Sequence, residues 1–182
     1  MPVPQGPSIP QRVGDPDEID YSMPIEDDLG QLSRDRIPVR SMTENDLPVL
    51  IEIDRRTTGR DRTPYYERKV AEAMHETGVR VSLVAEMEGR PVGFIMARVD
   101  FGEFGRTEPE AVMDTIGVDP DCGGKGVGHA LMSQLLGNLA TLRVERVRTI
   151  VEWNDFRLLS YLDRCGFSPS QRIAFRRVIG KT

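Results

Sequence analysis

The stretch Ile116-Gly117-Val118-Asp119-Pro120-Asp121-Cys122-Gly123-Gly124-Lys125-Gly126-Val127-Gly128-His129-Ala130-Leu131-Met132 sets four glycines and one lysine between an apolar run and an apolar helical pattern. Glycine loses more freedom on folding than any other residue, so a cluster of them needs a reason. Two readings compete. The glycines merely permit a sharp bend, or they let a ligand approach bare backbone. In the second reading, strand, loop and helix N-terminus together make an anion site. The first amides of a helix have no internal partner, and the helix dipole adds partial positive charge there. A phosphate can reach those amides where no Cβ intervenes, and Lys125 adds a point charge at the rim.

Downstream, Val127, Leu131, Leu135, Leu139 and Leu142 form the apolar stripe of the helix. Val147–Val151 reads as a strand, Asp155–Arg164 as a helix burying Leu158, Leu159 and Leu162, and Ile173–Ile179 as a last strand. Upstream, Ile37–Arg40 is a short edge strand, and Thr43 caps a helix through Leu47, Leu50, Ile51 and about Asp54. Thr63-Pro64 opens a second helix as N-cap and first-turn proline, and Gly78 ends it. Val79–Glu86 and Val92–Val99 pair as a hairpin across Met87–Pro91, and Val112–Val118 is the strand that enters the glycine loop. The strand–helix–strand from 112 to 151 implies a right-handed parallel crossover, whereas the hairpins imply antiparallel neighbours. The expected fold class is α/β (α+β): a mixed, mostly antiparallel central sheet of six to seven strands with helices on both faces.

The charge is unevenly placed. Residues 1–36 hold eight acids and three bases, which accounts for the net charge of −5, and the body from 37 to 182 is neutral. Six of the 13 prolines also fall in this tail, so it is expected to be disordered, with an acidic interaction tail as the functional alternative. A neutral body offers no broad footprint for nucleic acid. No run approaches the roughly 20 apolar residues of a membrane span, and the first residues lack a secretory pattern. Two cysteines far apart, without metal-like spacing, point to a reduced cytoplasmic setting and no metal site.

The phosphate ligand can be narrowed. A Walker loop needs Ser or Thr after its lysine, but Gly126 follows Lys125. The dinucleotide fingerprint fits badly, because Gly124, Gly126 and Gly128 are spaced two and two. Gly124-Lys125-Gly126-Val127-Gly128 instead resembles motif A of the GNAT acyltransferases, which binds the pyrophosphate of acetyl-CoA. That loop usually runs Arg/Gln-x-x-Gly-x-Gly/Ala; its last two glycines land on Gly126 and Gly128. Gly123 stands where Arg or Gln is expected, which implies weaker anchoring. Ile116-Gly117-Val118-Asp119-Pro120 is similar to the family's fourth strand, whose backbone pairs with the pantetheine arm. Asn154, Tyr161 and Cys165-Gly166-Phe167 resemble its motif B, and Ile37–Asp54 its opening strand and helix. The likeness spans residues 37 to about 179.

The resemblance implies an acetyl-CoA-dependent N-acetyltransferase with a primary amine as acceptor, working by direct transfer in a ternary complex. Its cofactor-binding residues would be Ile116, Gly117, Val118, Gly123, Gly124, Lys125, Gly126, Val127, Gly128, Asn154 and Tyr161. An amide near Val118 would polarise the thioester carbonyl. Tyr161 is the candidate general acid, the alternative being an ordinary amphipathic helix tyrosine. Asn154 would hold the cofactor arm or cap the helix at Asp155. The amine, with a pKa of about 10, must lose a proton. Asp114 is the first candidate base, since it shares a strand face with Ile116 and Val118; the alternative is a carboxylate paired with an arginine. Glu152 is the second.

Cys122 and Cys165 read as loop and packing residues rather than acyl carriers. His75 and His129 read as surface residues, and Trp153 packs near the crevice. The resemblance implies that the loop Thr57–Thr63 borders the acceptor, and Arg55, Arg56, Arg60 and Arg62 there would draw an acidic acceptor or simply solvate a helix end. A single closing strand would leave the acceptor side open or invite strand exchange in a homodimer. The competing function is a non-catalytic acyl-CoA-binding regulatory module.

Overall fold

The computed structural model of the chain describes residues 37–75, 77–101, 108–171 and 177. The expected tail (1–36) and, apart from residue 177, the closing strand (173–179) lie outside the described residues. Five strands and four helices are described: β1 (Val39–Ser41), α1 (Leu47–Thr58), α2 (Thr63–His75), β2 (Arg80–Met87), β3 (Arg90–Asp100), β4 (Glu110–Val118), α3 (Val127–Thr141), β5 (Val147–Arg148) and α4 (Phe156–Arg164). Short 3-10 turns precede α1 (Glu44–Asp46) and α3 (Pro120–Cys122). The strands lie in chain order, antiparallel from β1 to β4, with β5 parallel to β4. Among the described residues, no helix is long and apolar enough to cross a membrane.

The local chemistry explains the elements. β2 and β3 are joined by Glu88 and Gly89, both at positive φ (52° and 73°), the twist a two-residue hairpin requires. β3 is apolar on both faces: Ile95, Ala97 and Val99 pack with α3, while Phe94 and Met96 pack with α1 and α2. Such a continuous apolar run is what a strand covered on both sides needs. Val127, Leu131, Leu135 and Leu139 of α3 are buried, as their spacing predicts. Leu142 is half exposed because α3 ends at Thr141.

Three boundaries differ from the sequence expectation. Thr43 leads into the 3-10 turn rather than the α-helix, and its amide donates to Asp46 Oδ2 at 2.8 Å. Thr63 lies inside α2, with its amide capped by Asp61 Oδ1 at 3.0 Å. The paired part of β5 is two residues long instead of five. Its shortness follows from β4, whose partner edge turns away.

Two glycines hold the sheet against its covers. A Cβ on Gly93 would lie 2.7 Å from Val127 Cγ1, so α3 sits directly on β3 there. A Cβ on Gly117 would lie 2.5 Å from Phe94, whose ring crosses β4 at that point.

Candidate active site

The site is built along β4, its following loop and the first turn of α3. β4 pairs β3 along its whole length, but β5 meets it only at Ala111–Val147 and Val112–Arg148. Thr149 Oγ1 donates to the Met113 carbonyl at 3.0 Å, the last link before the strands part. Beyond that point the outer edge of residues 114–118 has no strand partner among the described residues. Backbone N–H and C=O groups left this way need some other partner. Ile116 and Val118, on this edge, pack against the α3 side of the core.

A bulge marks where the edge opens. Met96 pairs Thr115 and Ala97 pairs Met113, which leaves Asp114 as the extra residue on β4. An inserted residue reverses the side-chain alternation beyond it. Asp114 therefore does not share a face with Ile116 and Val118, contrary to the sequence expectation. It lies on the α2 side, bonded to Arg98 and, at 3.2 Å, to Lys69 Nζ. Its side chain is 12% exposed, and it fits the paired-carboxylate alternative.

The loop after β4 is set by its own turn. Asp119 Oδ1 accepts from the Asp121 amide at 3.0 Å and caps the 3-10 turn. Gly124 and Gly126 both take left-handed conformations (φ 74° and 89°), which only glycine adopts freely. The first α3 bond runs from Ala130 N–H to the Gly126 carbonyl at 2.9 Å. The amides of Val127, Gly128 and His129 thus have no intrahelical partner. Amides without Cβ cover at a helix N-terminus fit a phosphate-bearing group. Gly123 is different: its φ of −59° suits any residue, and a Cβ there meets only the Pro120 carbonyl at 3.3 Å.

Tyr161 joins this turn from α4. Its hydroxyl donates to the Gly128 carbonyl at 2.8 Å. A Cβ on Gly128 would lie 3.1 Å from the Tyr161 ring, so the glycine there makes room for tyrosine. Burial pushes the Tyr161 phenol well above its ordinary range, with Cys165 adding to the rise. The structure therefore brings together Tyr161 and Gly128, and with them the loop and the open edge.

Glu152, Trp153 and Asn154 are exposed on the connection between β5 and α4. Asn154 does not cap α4; Asp155 does, with Oδ1 accepting from the Leu158 amide at 3.0 Å. Trp153 is 79% exposed rather than packed. Cys122 and Cys165 are free thiols, both packed against the α3 side of the core. His75 lies at the surface, 2.9 Å from Glu44.

On the opposite face, most of the arginines near the first inter-helix loop already have partners. Arg55 lies 3.8 Å from Glu52 and 3.9 Å from Asp61. Arg56 spans Asp119 and Asp121 at 2.7 and 2.8 Å. Arg62 holds the buried Asp54, with Nε 2.9 Å from Oδ2. The Tyr66 hydroxyl donates to the same carboxylate at 3.0 Å and lies 3.4 Å from Thr115 Oγ1. Burial pushes the Tyr66 phenol up. Asp54 had a visible signal, a carboxylate at helical spacing from Leu47, Leu50 and Ile51. Arg56 had none, because its partners lie 63 and 65 residues away.

Several known proteins are similar to this chain in sequence or in fold. The chain is 40% identical over 87 residues to a mycothiol acetyltransferase of Propionibacterium freudenreichii subsp. shermanii, a match covering 47% of this chain and 27% of that protein. This chain therefore spans only part of the curated relative it matches. Among solved structures, AAC(6')-Iy in complex with the bisubstrate analog CoA-S-monomethyl-acetylneamine superposes with TM-score 0.66 at 16% identity, covering 79% of this chain and 99% of that one. The ribosomal-protein-S18-alanine N-acetyltransferase from Escherichia coli superposes with TM-score 0.61 at 20% identity, covering 74% and 79%. At these identities the likeness is one of fold. The model of the Acetyltransferase (GNAT) family matches residues 47–167, the stretch that holds α1, strands β2 to β5, the glycine loop and Tyr161, and the chain belongs to that family.

Proposed function

We propose that this chain transfers an acetyl group from acetyl-CoA to a primary amine, of a small molecule or a protein, by direct attack in a ternary complex. The observation that carries the reading is the continuity of the open β4 edge with the unpaired first turn of α3, where Tyr161 is anchored. An extended, amide-bearing arm can pair with such an edge while its diphosphate meets the amides of residues 127–129. The solved neighbour that carries a CoA analog supports this choice of donor.

The chemistry assigns work to few side chains. The amine nitrogen bonds to the thioester carbon as the C–S bond breaks, and an amide near Val118 supports the charge growing on oxygen. Tyr161 gives its phenolic proton to the departing thiolate, exchanging the Gly128 carbonyl for sulfur. Its raised pKa makes that transfer uphill, but keeps the proton in place to alkaline pH. Glu152 takes the amine proton, directly or through water; its carboxylate has no side-chain partner among the described residues. Asp114 is poorly placed for this work, held by Arg98 and Lys69 on the other face. Asn154, exposed beside Glu152, would bond the carrier arm.

One observation favours a second reading, an acyl-CoA-binding module without turnover: Gly123 replaces the expected anchoring side chain. Tyr161→Phe separates the two. Transfer predicts a rate loss of about a hundredfold with little change in acetyl-CoA affinity. Thiol release from acetyl-CoA across a panel of amines and peptides supplies the assay. No acceleration by any acceptor, with binding intact, overturns catalysis in favour of the module.

A further inference from the structure

We propose that Arg56 is a positioning residue for the diphosphate loop, cancelling together with Lys125 two carboxylates that would otherwise repel the acyl carrier. This deepens, and rests on, the acetyl-CoA reading above.

Asp119 and Asp121 stand at the entrance of the loop, and Lys125 is the one base between Ile116 and Gly128. Left to itself, a segment that must receive a diphosphate carries a net negative charge. Arg56, in the last turn of α1, reaches across the end of β4 to both acids. Nη1 lies 2.7 Å from Asp119 Oδ1 and Nη2 lies 2.8 Å from Asp121 Oδ2. One guanidinium thus holds two carboxylates in a fixed fork, which lysine cannot imitate fully. The hydrogen bond to Asp121 is the largest of the contacts that raise the Arg56 guanidinium above its ordinary value, with the charges of Asp119 and Asp121 adding to it.

The contact also shapes the loop. The oxygen of Asp119 that takes Arg56 is the one that caps the 3-10 turn through the Asp121 amide. That turn continues through Cys122 N–H to the Asp119 carbonyl (2.8 Å) and Gly123 N–H to the Pro120 carbonyl (3.3 Å). It delivers the chain to Gly124 and Gly126 in the conformations that expose the α3 amides. Arg56 and Asp121 are both exposed, at 36% and 79%, and exposed ion pairs contribute little to folding. The effect of Arg56 belongs to binding.

Calorimetric titration of the full chain with acetyl-CoA and with acetyl-pantetheine, which lacks the diphosphate, tests this. Arg56→Ala is expected to weaken acetyl-CoA about tenfold, leaving acetyl-pantetheine affinity and the melting temperature unchanged. Arg56→Lys should recover part of the loss. So should Arg56→Ala combined with Asp121→Asn, since the unpaired charge is then removed; a purely mechanical clamp gives no such recovery. Equal losses for both ligands, no loss for either, or a double variant no better than the single one overturns the proposal. A wild-type chain that takes up no acetyl-CoA sinks the acetyl-transfer reading itself.

Discussion

Ser133 is the one polar residue buried on the α3 side of the sheet among the described residues, whereas the α1/α2 side buries the carboxylates of Asp46 and Asp54 and half-buries Asp114. Each of these acids has a cation against it: Arg40 for Asp46, Arg62 for Asp54, Arg98 and Lys69 for Asp114. One face is therefore organised by shape and the other by matched charge. The difference separates structural acids from those free to react. Carboxylates on the charged face are engaged in holding elements together, while Glu152, on the connection between β5 and α4, is exposed and has no side-chain partner among the described residues.

Truncating the apolar face should have the largest effect. Leu131 has no exposure, and Leu131→Ala is expected to lose about 3 kcal/mol in chemical denaturation, the range for a buried leucine cavity. A loss near zero would mean that α3 is not seated as described. On the charged face, Asp54→Ala leaves the Tyr66 hydroxyl only its longer contact with Thr115 Oγ1 and strands one side of Arg62. Arg62 still reaches solvent, so the expected loss is smaller, about 2 kcal/mol. A double-mutant cycle with Tyr66→Phe should show coupling.

The Arg40–Asp46 pair sharpens the contrast through pH. The Arg40 guanidinium holds the Asp46 carboxyl below the usual carboxylate range, with the Thr43 amide and hydroxyl assisting. The stability gained is complete above the unfolded-state pKa of about 4, and is lost as pH falls through the lower folded value. Arg40→Ala should therefore lower stability by about 1 kcal/mol at neutral pH, with the gap closing in acid. A gap independent of pH would contradict the pairing. The smallest effect concerns the loop: Gly123→Arg, at a φ of −59° that suits any residue and with its Cβ 3.3 Å from the Pro120 carbonyl, should tighten acetyl-CoA about threefold, since one exposed charge is added beside the diphosphate.

Much of this was legible in the sequence, for identifiable reasons. The α3 stripe reads directly because Val127, Leu131, Leu135 and Leu139 follow helical spacing and nothing interrupts them. The β2–β3 hairpin reads from its apolar runs and Gly89. The strand–loop–helix succession reads from the apolar run of β4, the glycines and the α3 stripe. Asp114 could not be read, because counting alternate residues along a strand assumes that no residue is inserted, and the bulge is inserted there. Nor could Arg56 with Asp119 and Asp121, or Tyr161 with Gly128, since contacts between distant segments leave no local pattern. The five-residue reading of β5 failed for a related cause. A strand is only as long as the partner beside it, and β4 diverges after two pairs.

That divergence carries a last consequence. On the acetyl-transfer reading, the reactant is also a structural component, filling a place beside 114–118 where the described residues set no strand. Saturating acetyl-CoA should then raise the melting point in step with the logarithm of its concentration. Starved of it, the protein presents a row of amides and carbonyls that a neighbouring molecule's strand can capture, so its shelf life should track ligand supply.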